Sequence, residues 1–462
     1  MTQLAEEKVA HVNNFAALEK ATAGEVLPWL DERRKAGIAR FDLVGFPAAG
    51  DEEWRHAQLG PIVKTKFALP AAEGAARATD AYAEFSFGAD AASEIVFVNG
   101  RYVAQLSKLG KLPRGVRVSS LAIALAEDAA AIEPHLARVA DVEANPFVAL
   151  NTGFLQDGAY IRLPSGTSVE GAIHLLFIST PSAEPTVSHP RVLVVAGDNV
   201  EATIVESYVG RGEGGRKSGG TYLTNAVTEI VCGADCRIDH CKLQHESLEA
   251  YHVATMQVNL GRATTFVSHA ASLGSRITRN NLNCLMAGEG AYATLNGLVL
   301  IGGEQHVDNH TLLDHAEPNC PSHELYKHVL SGKATGVFRG KILVRQKAQK
   351  TDSKQNSKSL LLSDDAYMNS QPALEIYADD VKCTHGSTTG PVDEDMVFYL
   401  RTRGVGLAEA RHLLTYAFAA DVTRRIKVEP FRRRLENFMA QQAGLPQDLR
   451  ITDLSAHDEA VL

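Results

Sequence analysis

Six phrases decide how this chain folds: GDNVEATIVES (197–207), GADCRIDHCKL (233–243), GRATTFVSHAA (261–271), GEGAYATLNGL (288–298), GKATGVFRGKI (332–342) and ADDVKCTHGST (378–388). Each starts at a small-residue turn. Their sixth positions are Ala202, Ile238, Phe266, Ala293, Val337 and Cys383, and their fifth positions are Glu201, Arg237, Thr265, Tyr292, Gly336 and Lys382. An apolar column beside a mostly polar one is period-two alternation, the signature of a strand with one buried face. Repeated down a chain, it is the pattern of stacked coils around a shared interior. The intervals between phrases are irregular, which fits a β-helix with loops and two or more strands per coil. The expected fold is mainly β, with the repeats forming its core.

Outward from this core the text changes style. Residues 1–95 are Ala- and Glu-rich with helical spacing, as in LAEEKVAHVNNFAALEK, and are read as an N-terminal helical region. Residues 96–167 mix strand-like and helix-like text and are read as a linking region, followed by the β-helix core at 168–390. A C-terminal helical domain is expected over 391–462. There DEDMVFYLRTRG places acids at the start and basic residues then Gly at the end of a helix, a second helix runs from Leu407 to about Ile426, and the last dozen residues read as a frayed tail.

Composition narrows the function. The chain has 462 residues, 45% hydrophobic and 22% charged, with 46 Lys+Arg against 55 Asp+Glu and a net charge of -9. No global positive field draws it to nucleic acid or to an anionic membrane. The opening MTQLAEEKVAHVNNF lacks the basic start of a secretory signal, and no run approaches a membrane span, so a soluble cytoplasmic protein is expected. Six cysteines, at 232, 236, 241, 284, 320 and 383, are too scattered for a disulfide framework and are read as reduced thiols.

Several constellations suggest chemistry. The run GRGEGGRKSGG (210–220) lacks the G-x-x-x-x-G-K-[ST] spacing of a phosphate loop and is read as a loop between coils. Cys232, Cys236 and Cys241 with His240 and His245 resemble a metal cluster, but Cys236 and His240 on one strand would stand about 13 Å apart. His306, His310 and His315 would converge only on a helix. Both groups are read as structural or solvated. Asp379 and Asp380, as neighbours on a strand, would point to opposite faces, so a turn role is favoured over an acid and base pair. Cys383 and His385 differ, because two residues apart on one strand they share a face at about 6–7 Å in Cα position. Thiolate and imidazole are both ligands for iron, although Cys383 also continues the apolar column and reads equally as core.

The run LEIYADDVKCTHGSTTGPVDEDMVFYLRTRGV (374–405) resembles the C-terminal signature of the SufD branch of the SufB/SufD family, scaffolds of SUF iron-sulfur cluster assembly. HVDNHTLLDHAEPNCPSHELYKHVL, GKATGVFRGKILVRQKAQKTDSKQNSKSLLLS and the early GFPAAGDEEWRH agree with it. The SufB branch carries a cysteine before the Ser-Leu-Leu segment, where this chain has Asn356, Ser357 and Lys358, and a His-Glu-Ala phrase where it has Cys383-Thr384-His385-Gly386.

The resemblance implies a right-handed parallel β-helix flanked by helical regions and a non-catalytic scaffold role. It implies a heterodimer with SufB through continued sheets, and an ATPase, SufC, docked on the C-terminal helices where Phe398, Tyr399, Leu400 and Arg403 lie. His385 would join a SufB cysteine in holding a transient cluster, with Cys383 as an accessory thiol. ATP hydrolysis by SufC would open the interface to iron and sulfide. Flavin belongs to the assembled family complex, and no dinucleotide fingerprint in this chain supports it. Exposed strand edges would also permit a homodimer when SufB is absent. The competing readings are a purely structural stabiliser of SufB and a β-helical carbohydrate-active enzyme. Only 6% aromatic residues and two Trp count against the second.

Overall fold

A computed structural model describes residues 3–21, 27–48, 50–71, 78–210 and 220–442. The interior of the glycine run (211–219) and the C-terminal tail lie outside the described residues. Two long sheets form a β-solenoid core of about seven turns, with helical regions before and after it. In the first sheet the strands follow the order Arg101–Tyr102, Ala91–Val98, Ser168–Ser179, Glu201–Gly210, Arg237–His245, Thr265–Ser272, Tyr292–Ile301, Ser322–Leu330, Asp352–Leu361 and Lys382–Gly390. In the second the order is Arg117–Ser120, Gly158–Leu163, Arg191–Ala196, Tyr222–Cys232, Tyr251–Leu260, Ile277–Met286, His306–His315, Thr335–Val344 and Tyr367–Ser370. Strands Thr186–Ser188 and Ala373–Ile376 pair beside this path. The chain therefore alternates between sheets, and neighbouring strands are parallel except for the antiparallel pairs at the N-terminal end.

The apolar column is real for five of its six members. Ala202, Ile238, Phe266 and Ala293 are successive register partners, and the column continues through Ser322 and Ser353 to Cys383. Val337 does not belong to it, because its strand lies in the second sheet, where it pairs with Asp308 and Asn369. Both sheets start strands after a small-residue turn, so turn plus alternation does not tell one sheet from the other. By the same register the column of His385 is Ile204, His240, Ser268, Leu295, Glu324 and Gln355, with Arg339 again on the opposite sheet. The interior is filled from both sheets by residues such as Ile204, Ile238, Phe266, Met256, Met286 and Phe338.

Helices Gln3–Ala21 and Pro28–Val44 and the short helix Pro146–Gly153 cover the second sheet. A Cβ on Gly37 would come within 2.8 Å of Ala149 O and Gly153 N, so glycine sets how closely two of these helices approach. The DEEWRH phrase docks this layer on the solenoid. Trp54 lies against Phe147 and beneath the Arg279 guanidinium at 4.5 Å, while Glu52 pairs with Arg339 at 2.9 Å. At the other end the helices Glu394–Thr402, Leu407–Thr423 and Glu429–Gln442 cover the first sheet. Asp393 caps the first of them by accepting from the N–H groups of Asp395 and Met396.

Replacing Phe266 with Ala should cost about 3–5 kcal/mol, because it opens a cavity in a stacked interior. Removing the outward Arg237 side chain one residue from the matched Ile238 should change stability by no more than about 0.5 kcal/mol. Denaturant unfolding of both variants checks the assignment of faces.

Candidate functional site at the open end of the solenoid

Among the described residues, the last strand of the first sheet, Lys382–Gly390, pairs on one side only, with Asp352–Leu361. Its other edge is the end of the ladder. Cys383 and His385 share the face that continues the interior columns, so both stand at the mouth of the solenoid. His385 is exposed, whereas Cys383 is half-buried and packs against the interior cluster. Burial pushes the Cys383 thiol above its ordinary value, opposed by a hydrogen bond with the Ser353 backbone. Cys383 thus continues the interior column to the last strand. The rim opposite carries the exposed side chains of Tyr367, Ile376 and Tyr377.

One coil inward from His385 lies Gln355, and one further lies Glu324. Gln355 Nε2 donates to Glu324 Oε2 at 2.6 Å, while Gln355 Oε1 and Glu324 Oε1 are buried without a partner. The Gln355 amide lies against the Gly340 backbone, where a Cβ would stand 2.1 Å from Nε2. Burial raises the Glu324 carboxyl to about 7, against the hydrogen bond with Gln355 that acts to lower it. Sequence reading passed over Gln355 and Glu324, because the strands Ser322–Leu330 and Asp352–Leu361 begin without the small-residue turn that flagged the other coils. The signal that would have found them is the number of coils needed to span from Ala293 to Cys383.

The other constellations are dispersed. His240 is fully engaged, with Nε2 to Glu206 at 3.2 Å and Nδ1 to Ser268 at 3.0 Å. Cys236 sits in the turn just before its strand rather than on it, and packs in the interior. Cys241 faces the layer between the first sheet and the C-terminal helices. His306, His310 and His315 lie along one extended strand and pair with Thr335, Asp308 and Ser322 respectively. Asp379 and Asp380 form a bend, with Asp380 paired to Lys350. Among the described residues, no group of three or more His, Cys, Asp or Glu converges on a metal position. Where a helix follows a strand, at Ser120–Leu121 and after Gly390, no G-x-G phrase forms a dinucleotide cradle.

Beside the mouth, helix Glu394–Thr402 presents Phe398 and Tyr399 to solvent at 67% and 53% exposure. Arg403 lies 5.3 Å over the Tyr399 ring, and its Nη2 donates to the Tyr399 hydroxyl. Leu400 turns inward instead, against the cluster of Val329, Leu360, Val392, Val397 and Ala410. No helix among the described residues is long and apolar enough to cross a membrane.

Two sheets wound into a solenoid of about seven turns, flanked by helical regions, define a protein of the β-solenoid class. Residues 177–418 match the SUF system FeS cluster assembly SufBD core domain, and residues 6–175 match the SufBD protein N-terminal region. The chain belongs to the SufBD family, of SufD type. It is 32% identical to an iron-sulfur cluster assembly SufBD family protein of Synechocystis, over 85% of this chain and 87% of the relative. It is 29% identical to the iron-sulfur cluster assembly protein SufD of Escherichia coli, over 85% and 88%. A SufD of Bacillus subtilis is 25% identical over 64% of this chain and 66% of that protein.

Glu324 sets a measurable pH dependence. Its folded value lies above the ordinary 4.5, so between about 4.5 and 7 the native state keeps a proton that the unfolded chain has released. Stability falls across that window as pH rises. Glu324→Gln should therefore gain on wild type between pH 5 and pH 8 by up to ~3 kcal/mol, measured by urea unfolding at both values.

Proposed function

We propose that this chain is a non-catalytic scaffold subunit of SUF assembly. It pairs with SufB through the edge of Lys382–Gly390, so that a nascent iron-sulfur cluster is held between His385 and a SufB cysteine, with the Cys383 thiol beside them. The observation that carries this reading is the position of His385, exposed on the unpaired last strand at the mouth of the interior. One imidazole and one thiol cannot complete the coordination of clustered iron, so a partner must bring further ligands. An open edge of parallel strand is a surface on which another strand adds by backbone hydrogen bonds. The cluster is cargo, made and passed on.

The ATPase SufC docks on helix Glu394–Thr402, where Phe398 and Tyr399 form an exposed aromatic anchor stiffened by Arg403. Leu400 seats that helix on the solenoid close to the last strands, so movement of the ATPase is delivered to the mouth. Opening the interface admits iron and sulfide, and closing it shields the ligands from water and oxidants.

Co-expression with SufB and SufC tests the ligand role. His385→Ala should leave complex mass unchanged and abolish iron and sulfide content after anaerobic purification. An intact complex with full cluster would instead make the chain a structural stabiliser of SufB.

Lys382 N–H bonds inward to Thr351 O, so by strand alternation the Ser387 N–H points to the free edge. Ser387→Pro should block association with SufB, and self-association in its absence, while the isolated chain keeps its unfolding midpoint within a few degrees. Size-exclusion chromatography with light scattering reads this outcome. Phe398→Ala should weaken SufC capture at least about thirtyfold, the size of an interface hot spot, without affecting SufB pairing.

A further inference from the structure

The early phrase DEEWRH takes no part in the chemistry of the mouth, yet the segment that carries it ends there. Residues 52–58 form turns and a bend rather than a helix or strand, and they run along the outer face of the second sheet. Trp54 lies beneath the Arg279 guanidinium, on Ile277–Met286, at 4.5 Å. Glu53 stands 3.6 Å from His310 Nδ1, on His306–His315. Arg339, on Thr335–Val344, pairs with Glu52 at 2.9 Å and Glu53 at 3.3 Å, and its Nη1 donates to Glu52 O at 3.1 Å. Gln58 Nε2 donates to Thr335 Oγ1 of that same strand at 3.4 Å. Finally, His56 Nε2 lies 3.1 Å from Nε2 of Gln371, the residue that follows the last strand Tyr367–Ser370. These strands are successive neighbours in the sheet, so the segment crosses four rungs and reaches the rim.

The rung it reaches is weakly paired. Thr335–Val344 meets His306–His315 over ten residues, but on its other side it meets only the four of Tyr367–Ser370 and the four of Ala373–Ile376, with Gln371 and Pro372 between them. The N–H groups of Tyr367, Gln371 and Tyr377 donate inward to the carbonyls of Ala334, Phe338 and Val344. Alternation puts position 372 in the outward row, where proline has no N–H to offer an added strand. A short rung at the end of a ladder, with Tyr367, Ile376 and Tyr377 exposed, opens readily unless something else holds it. Gln371 is held twice at this break, by its backbone to Phe338 and by its side chain to Asn369 and His56.

We propose that residues 52–58 are a strap that positions the last rung of the second sheet for a partner chain: Trp54 and the Arg339 pairs seat the strap, and His56 holds Gln371, so that the rim bearing Tyr367, Ile376 and Tyr377 is fixed before the partner arrives. The assignment rests on the reading that a partner joins the solenoid at this end. Trp54 is the main anchor, because it is buried against Phe147 and under Arg279. The Glu52 side chain is 72% exposed, so its pair with Arg339 sets direction more than strength. Holding the rim in place beforehand removes the cost of ordering it on association.

The test has a readout that needs no partner. Hydrogen exchange on the isolated full chain should show the Gln371 and Tyr377 amides exchanging about tenfold faster in Trp54→Ala and in His56→Leu than in wild type. Amides of Asp352–Leu361, in the other sheet, should keep their wild-type rates, which separates loss of the strap from general loosening. His56→Gln keeps an acceptor for Gln371 Nε2 and should restore the slow exchange. Unfolding midpoints show that each variant is folded, and His56, being only half-buried, is the gentler change. Wild-type exchange at Gln371 and Tyr377 in both Trp54→Ala and His56→Leu would overturn the proposal. In titrations with SufB, His56→Leu should bind about tenfold more weakly and His56→Gln as wild type does. Equal affinity of all three would refute the positioning role. A wild type that binds no SufB would sink the pairing reading alone, since exchange in the isolated chain judges the strap separately.

Discussion

Everything in this structure hangs on the in-register parallel ladder. Once Ile238 pairs with both Ala202 and Phe266, every neighbouring side chain is assigned to the interior or to the outer face, and a slip of one residue would exchange the two sets. The closed interior enforces that choice, because a one-residue slip would bring Arg237 and Asp239 inward in place of Ile238 and His240. The ladder also fixes where it stops. A solenoid has two ends; the N-terminal one carries antiparallel strands, while among the described residues the C-terminal one ends in a parallel strand paired on one side.

The outer faces are tied down by a few buried charges rather than by apolar packing alone. Glu229 in the second sheet accepts from the backbone N–H groups of Ala137, Arg138, Val139 and Ala140 and pairs with Arg191 at 2.7 Å. Burial alone would raise its carboxyl, but Arg191 and these donors hold it below the ordinary range. Such a pair is a weak source of net stability, yet breaking either half strands a charge, so it specifies how the 137–140 turn seats. On the first sheet Lys327 joins Asp421 at 2.8 Å and also donates to Phe418 O. Arg434 reaches the carbonyl of Phe85 at 2.8 Å and lies 4.8 Å over its ring, linking the last helix to the N-terminal region. The C-terminal helices are therefore held to the solenoid along its length, close to the strands that lead to the mouth.

At the mouth, ordinary strand geometry brings two chemically capable side chains together. The edge strand places Cys383 and His385 on one face, and the coil beneath continues their columns with Ser353 and Gln355. The interior is accordingly not a uniform apolar core. Beside Ile204, Ile238 and Phe266 its columns carry His240 and Ser268 in the inner coils and Glu324, Ser353 and Gln355 in the two coils before the last strand. Buried polar groups of this kind cost stability unless paired, and the unpaired Gln355 and Glu324 oxygens mark where the fold accepts that cost.

Much of this was legible in the residues themselves. Turn plus alternation marked Ala202, Ile238, Phe266, Ala293 and Cys383 as one column, acids and bases bounded the helix at 394–402, and the spacing of Cys383 and His385 placed both on one strand face. These are local properties, determined by the period of a strand or a helix and by the chemistry of its caps. Only the tertiary structure decided that Val337 and Arg339 belong to the opposite sheet, that Ser322 and Ser353 fill the missing places, and that Gln355 lies beneath His385. Those facts depend on which strands pair across thirty or so residues of intervening chain. The reason is physical: alternation says that a strand has an inside face, whereas the hydrogen-bonded register alone says whose inside face it meets.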